Sequence, residues 1–363
     1  MLNVLHICNA FYTNKFYKNL FTSLNNISNN IVFAIIRNNY KYTFQSNFKI
    51  INSCKLNYFD KFFYLNKSNK LFNDLCNKID FTLINHSHAH TLFSDGIISY
   101  KLYLKYNIPY TISVRNVDIN IFFKYLFIYR NIAINILLNS KNILIISPVY
   151  RSKLLYYVPN EYHNLFNSKI TVIPNGIDKF WLNNIQSVSK NNKYFNILQV
   201  SNINYNKNIL SVLFAINKLN YKNKIIYNVV GNGNKFFLFF LYLISKIYKI
   251  NLIIHPFKKF NELIEIYSNT NLFIMVSHKE TFGIAYIEAL TQNIPVIYSK
   301  NQGIDGYFSN NYIIGATSYS INSISNSIDR IFKNKSDIKI IEDINFNNFN
   351  WDNISFKFYN LYE

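Results

Sequence analysis

The chain has 363 residues, with 38 Lys+Arg against 18 Asp+Glu and a formal charge of +20. Half of its residues are hydrophobic and 18% are aromatic, enough for a sizeable core, which excludes wholesale disorder. The length corresponds to two domains or three. Charged residues make up 15%, below the usual ~25%, and Asn, Ile, Lys, Tyr and Phe fill the difference. The positive charge therefore reflects either coding bias or a functional basic surface. Cys8, Cys54 and Cys76 are odd in number and lack metal-ligand spacing, which argues against a disulfide framework or a zinc site. The start, Met1–Ile7, lacks the basic and long apolar regions of a signal peptide. The most apolar stretches are 119–138, interrupted by Lys124 and Arg130, and 236–248, cut short by Lys246. Neither offers the ~20 uninterrupted apolar residues of a spanning helix. The expectation is a cytoplasmic protein, with peripheral contact at the inner membrane face left open.

In chain order, Leu2–Ile7 reads as a strand, Lys15–Asn25 as a helix and Ile31–Ile36 as a strand. Strands follow at Phe81–Ile84 and Tyr110–Val114, with a helix at Ile97–Tyr106 between them, then strands at Ile143–Ile146 and Ile170–Ile173. Residues 183–194 are polar and turn-rich, the best linker in the chain. The pattern restarts with the strand Phe195–Val200 and a helix over Lys207–Leu219, whose apolar residues recur at helical spacing. Further strands are predicted at Ile225–Val230, Leu252–Ile254, Leu272–Val276 and Pro295–Tyr298. Ile321, Ile324, Ile328 and Ile331 mark a late helix, and Trp351, Ile354, Phe358 and Leu361 a terminal one. Apolar strands without strict alternation, separated by helices, imply parallel sheets covered on both faces. The class is α/β, with two doubly wound Rossmann-like domains and a ligand expected at strand carboxyl ends, in a cleft between the halves.

Glycine is scarce, eight residues in all, so it should persist where positive φ or close backbone approach requires it. Gly315 and Gly96 read as ordinary turn residues, whereas Gly231 and Gly283 follow strands and point to function. The segment Val276–Leu290 carries the strongest signal: a strand end, then a helix start at Gly283 whose free N–H groups suit a diphosphate. Glu280 precedes that helix, and Glu288 lies about a turn and a half beyond Gly283. A carboxylate accepts two hydroxyl hydrogen bonds, so each suits a sugar diol; taken alone, both also read as a surface acid and a capping acid.

The run from Glu280 through Thr-Phe-Gly-Ile-Ala-Tyr-Ile to Glu288, and on to Pro295 and Val296, resembles the signature of glycosyltransferase family 4. These are retaining enzymes of the GT-B fold, whose two glutamates have seven residues between them. Val172–Asp178 resembles the end of the family's first domain, Ser201–Lys207 its first loop and helix in the second, and Val230–Gly233 the following Gly-rich turn. Phe349–Trp351 is similar to the lead into its closing helix. The resemblance implies that Glu280 contacts the donor sugar, Lys207 the diphosphate and Glu288 the ribose, with the amides of Phe282, Gly283 and Ile284 assisting. It implies donor contacts at Asn202 and Gly231 as well. Asn202 stands where the family has an Arg, with Lys279 or Arg115 as the candidate replacements; Asn293 replaces a Gly and Val276 a Pro. The implied division is an acceptor-side domain at 1–185, a nucleotide-sugar domain at 186–345, and a helix at 346–363 packing back on the first.

The first half is less sharp. Asn85–His90 is read as a loop after a strand, its alternating His86, His88 and His90 open to three readings: cleft-rim polar residues, acceptor or donor contacts, or a metal group. Pro109–Asp118 resembles the family strand that ends in a His-Gly-x-Asp loop, here with Arg115 in place of His. Arg115 and Asp118 are either substrate contacts or a surface Arg beside a helix cap. Ile119–Lys153 mixes aromatic and basic residues, as a lipid-facing segment or a core helix would.

The reading is a retaining glycosyltransferase in cell-surface glycan or glycolipid assembly. It moves a sugar from a nucleotide-diphosphate donor to a hydroxyl of a lipid-linked or glycan acceptor, with no metal or other cofactor, since no Asp-x-Asp pair occurs in the motif segments. An anionic membrane surface is a further expected partner. Rivals are a GT-B epimerase or inactive nucleotide-sugar binder, suggested by Asn202, and a nucleic-acid-binding protein, suggested by the charge. The scattered lysines and the lack of a stacking module argue against nucleic acid as a partner.

Overall fold

The computed structural model describes residues 1–36, 46–61, 63–186, 193–334 and 340–363. They form two compact units, Met1–Gly176 with Trp351–Glu363, and Ile177–Asn350. Half of the expected linker 183–194, at 187–192, lies outside the described residues.

The first unit is built on seven strands: β1 (Asn3–Cys8), β2 (Asn29–Ala34), β3 (Lys49–Asn52), β4 (His86–Ala89), β5 (Tyr110–Val114), β6 (Asn142–Ile145) and β7 (Ile170–Val172). Their order is β3-β2-β1-β4-β5-β6-β7, every pairing parallel. Helix Lys15–Leu24 starts where the Asn14 side chain accepts from Phe16 N at 3.0 Å. The terminal helix, Trp351–Tyr359, closes this unit. Trp351 meets the Phe16 ring edge-on at 5.1 Å, and Ile354 and Phe358 are buried in the same core. Gly176 is fixed by this packing, since a Cβ there would lie 2.5 Å from the Trp351 ring.

The second unit has six parallel strands: β8 (Phe195–Val200), β9 (Ile225–Val230), β10 (Asn251–His255), β11 (Leu272–Met275), β12 (Val296–Ser299) and β13 (Ile313–Ala316), ordered β10-β9-β8-β11-β12-β13. Helix Ile321–Lys333 lays Ile324, Ile328 and Ile331 into its core, and Ser320 caps it by accepting from Ser323 N at 3.2 Å. Each such fully buried side chain contributes about 1.5–3 kcal/mol.

Four expectations need correction. Phe81–Ile84 is a turn, because the Asp80 carboxylate accepts from Thr82 N and Oγ1 at 3.0 and 2.9 Å and bends the chain. The strand is His86–Ala89, so the histidine segment is buried sheet, not a rim loop. Gly315 is strand, not turn: it pairs with Tyr298, whose ring would stand 3.1 Å from a Cβ. Gly96 begins helix Gly96–Tyr106, where the side chains of Ile112 and Ile136 crowd its missing Cβ at 3.2 and 3.3 Å. Strands β3 and β13 and helix Tyr64–Cys76 lie where the sequence reading assigned nothing. All three cysteines are free thiols.

Candidate active site

Where a doubly wound sheet reverses its strand order, the loops at the carboxyl ends part and leave a crevice. In the second unit that point lies between β8 and β11. Lys207 comes from the segment after β8 and Glu280 from the loop after β11. Lys207 Nζ donates to Glu280 Oε2 at 2.7 Å, the two side chains 19% and 12% exposed. The Ser277 hydroxyl reaches the same oxygen at 3.4 Å, and Thr281 N donates to Oε1 at 3.0 Å.

Both loops are anchored by residues that the sequence reading did not single out. Buried Gln199 donates to the Lys207 carbonyl at 2.9 Å and accepts from Tyr227 Oη at 2.6 Å. Asn206 clamps the Glu280 loop, donating to the Lys279 carbonyl at 2.9 Å and accepting from Lys279 N at 3.0 Å. Asn208, left-handed at φ 57°, donates to the carbonyls of Val276 and Ser318 at 3.0 and 2.7 Å. Gly303, at φ 55°, lets its turn close on the Glu280 loop; a Cβ would sit 2.8 Å from the Phe282 carbonyl oxygen.

Phe282, Gly283 and Ile284 lead directly into helix Ile284–Thr291. Gly283 has φ 83°, and a Cβ would strike the Tyr286 ring at 2.2 Å. No side chain caps this helix and no acid lies in its first turn, so its first N–H groups remain for an anion. Glu288, half-buried on the same helix, has its carboxyl pushed up to about 7 by burial, with the Trp181 indole opposing and Asp178 adding to the rise. Trp181 is itself held between Phe260 and Tyr267, at 5.5 and 5.3 Å.

Gly231 and Asn202 occupy the adjoining pair of loops. Gly231 has φ 149°, and a Cβ would lie 1.9 Å from the Ser201 carbonyl oxygen. Backbone geometry alone therefore requires glycine there. Asn202 is exposed, and its neighbour Ile203 N ties the loops together by donating to the Asn232 carbonyl at 2.8 Å.

In the first unit the expected site residues are engaged with one another. His88 uses both ring nitrogens, on Tyr362 Oη and Ser113 Oγ, each at 2.8 Å. His90 Nε2 meets His6 Nδ1 at 3.2 Å, and His6 Nε2 meets Asn30 at 2.9 Å. His86 bonds Thr111 at 2.9 Å. Burial lowers the pKa of all four, to about 4 for His6 and about 3 for His86. The nitrogens of His6, His88 and His90 lie within 4.8 Å of one another, but a metal there would have to break the bonds just described. His6, inside the first predicted strand, gave no separate signal.

Asp118 is neither a helix cap nor exposed. It is buried and accepts from Arg115 N, Leu92 N and Phe93 N at 2.8, 3.1 and 3.3 Å. Burial pushes its carboxyl up to about 6 against those bonds. Arg115 is half-buried, donates through Nε to the His90 carbonyl at 3.3 Å and lies over the Phe16 ring at 5.2 Å.

Residues 182–345, which carry the Lys207–Glu280 pair, match the family described as Glycosyl transferases group 1. Those residues make up a glycosyltransferase domain of this group. The fold of the chain is of the GT-B type. A sucrose-phosphate synthase from Thermosynechococcus elongatus superposes with a TM-score of 0.75 at 16% identity, covering 100% of this chain and 98% of the other. The lipopolysaccharide outer core galactosyltransferase WaaB superposes at 0.74, with 14% identity and coverage of 100% and 99%. Anabaena HepE, in complex with UDP and glucose, superposes at 0.65, with 10% identity and 99% of both chains covered. No curated protein is significantly similar to this chain in sequence.

Proposed function

We propose that this chain is a retaining glycosyltransferase of family 4 that moves a sugar from a nucleotide diphosphate to an acceptor hydroxyl in cell-surface glycan or glycolipid assembly. The observation that carries the reading is the Lys207–Glu280 pair beside an uncapped helix start at the β8/β11 reversal. The leaving diphosphate needs neutralising charge, which Lys207 and the N–H groups of Phe282–Ile284 supply. An incoming diphosphate competes with Glu280 for the ammonium, freeing the carboxylate to accept from the sugar hydroxyls. Glu288, already close to its protonated range at neutral pH, accepts from or donates to the ribose hydroxyls. The second unit handles the donor and the first the acceptor. Transfer follows a same-face displacement aided by the leaving phosphate, with no metal.

UDP-sugars are the first donors to test, given the UDP and glucose bound by the Anabaena neighbour. A thermal-shift panel of nucleotide sugars identifies the donor, since a ligand at 100 times its Kd adds about 2.7 kcal/mol. Transfer should survive exhaustive chelation; loss restored only by magnesium or manganese overturns the metal-free reading. Neutral Asn202 motivates the second reading, a nucleotide-sugar epimerase or inactive binder. Product analysis separates them: a glycoside supports transfer, an epimerised donor or an untouched bound donor the alternative.

A further inference from the structure

Helix Lys235–Ile247 is apolar on two opposite faces. One is covered: Leu241 and Ser245 are buried, while Phe237, Leu238 and Ile244 pack against the core of the second unit. On the other, Phe236, Phe239, Phe240, Leu243 and Ile247 are all exposed, Phe236 by 85% and Ile247 by 69%. At about 100° per residue these five fall within roughly 100° of arc, opposite Ser245, along about 17 Å of helix. The edge strand β10 and the turn after it add exposed Ile253 and Phe257. Scattered exposed apolar residues need no explanation, but a continuous stripe of this kind marks a surface that meets a partner.

Charge identifies the partner. Lys235 and Lys246 flank the stripe, Lys246 standing 5.1 Å from the Tyr242 ring, and Lys249 follows the helix. From Lys179 to Asn261 the chain carries twelve Lys and no Asp or Glu. A second copy on this face would bring two lysine-rich surfaces together. A nucleic acid would meet the lysines but gain no stacking from Leu243 or Ile247. An anionic bilayer satisfies both features, because apolar side chains enter the headgroup boundary while flanking bases meet lipid phosphates.

We propose that the outer face of helix Lys235–Ile247 docks this protein on an anionic lipid bilayer. The inference does not rest on the transfer reading: a chain unable to transfer sugar still docks, and a chain unable to dock still turns over soluble substrates.

The test is co-sedimentation of the full chain with phosphatidylglycerol/phosphatidylcholine vesicles against phosphatidylcholine alone, at about 0.1 M and about 1 M salt. Wild type should bind the anionic vesicles at low salt. Phe236→Ser, Phe240→Ser and Leu243→Ser combined should weaken partition by about tenfold or more, with thermal stability unchanged because the sites are exposed. Lys235→Glu with Lys246→Glu removes the charge component without touching packing, and should flatten the salt dependence. In a Phe236→Trp variant the new emission should shift to the blue on adding vesicles, since Trp181 and Trp351 are already buried. Failure of wild type to bind, or binding by the triple variant equal to wild type, overturns the proposal. So does a dimer, or an RNA complex, that the triple variant alone abolishes.

Discussion

The two sheets reverse their strand order at corresponding places, between β1 and β4 and between β8 and β11, yet fill those places with opposite chemistry. In the first unit His6, His88 and His90 stack, the last two at 4.3 Å, and close a neutral network on Asn30, Ser113 and Tyr362. In the second, a lysine and a glutamate face each other, partly exposed, beside an uncapped helix start. A topological switch point is only an address. It becomes a reaction site where its polar groups keep charge and access, and a structural tie where they are buried and bonded to one another, as the ring nitrogens of His6, His88 and His90 are here except for His90 Nδ1.

Acid separates the two most strongly. A histidine with a folded pKa below its unfolded 6.5 costs stability progressively as pH falls from 6.5 to the folded value, about 4 for His6 and about 3 for His86. His88 and His90 act in the same sense. Asp95 and Asp118, raised to about 7 and about 6, act oppositely, since they are protonated in the fold before the unfolded chain takes up those protons. Four losses against two gains leave the first unit destabilised between about pH 6.5 and 4, at about 1.4 kcal/mol per pH unit for each net proton. In the second unit Glu288, raised to about 7, gains stability on acidification, while His255 and His278, more exposed, pull weakly the other way. Each unit holds one tryptophan, Trp351 and Trp181, so Trp181→Phe and Trp351→Phe variants report the units separately. The urea midpoint read by Trp351 should fall more steeply with acid than that read by Trp181; parallel curves would refute the contrast.

The asymmetry also decided what the sequence could show. Glu280 stood out because it lies three residues before Gly283 in a glycine-poor chain, whereas Lys207, in the glycine-free run Ser201–Lys207, stood out only through the family resemblance. Their supports did not: Asn206 and Asn208 are lost in an Asn-rich composition, and the Gln199–Tyr227 bond spans two strands. The alternation of both sheets was readable from apolar runs, except at β3 and β13, which were not assigned, and where β4 carries His-Ser-His-Ala and the preceding Phe81–Ile84 imitates a strand. Only the pairings with β1 and β5 reveal that those imidazoles are core.

Three substitutions sharpen the contrast further. Glu280→Ala should leave the fold intact but remove about 3 kcal/mol of transition-state stabilisation, roughly a hundredfold in kcat/KM. Wild-type turnover in a folded variant refutes the role. Gly231→Ala should destabilise the second unit by about 2 kcal/mol, because the side chain adds left-handed strain to a clash with the Ser201 carbonyl. Gly96→Ala in the first unit meets two isoleucine methyls at 3.2 and 3.3 Å and the Thr91 carbonyl oxygen at an ordinary contact distance of 3.4 Å, and should cost less than about 1 kcal/mol. Chemical denaturation of both variants checks the order.

The smallest effect is expected at the aromatic and basic segment 119–153. Ile119 and Phe123 are buried there, while Phe127 and Ile128 are 71% and 70% exposed. Its bases are partly committed: Arg130 Nε donates to the Phe123 carbonyl at 2.7 Å and its guanidinium lies over Tyr157 at 5.2 Å, whereas Lys124 stands 5.2 Å from the Tyr125 ring. The exposed apolar run is shorter than the stripe of helix Lys235–Ile247, and one of its two central cations holds a turn together. Lys124→Glu with Arg130→Glu should therefore lower anionic-vesicle binding by only a few-fold, about 1 kcal/mol per removed cation near the surface at most. Arg130→Glu should also loosen the local fold. Lys124→Glu alone separates the two effects, because Lys124 is exposed and ties down no backbone carbonyl among the described residues. Vesicle binding by Lys124→Glu that falls as far as in the Phe236, Phe240 and Leu243 variant would move the docking surface to the first unit; binding equal to wild type would clear this segment of the role.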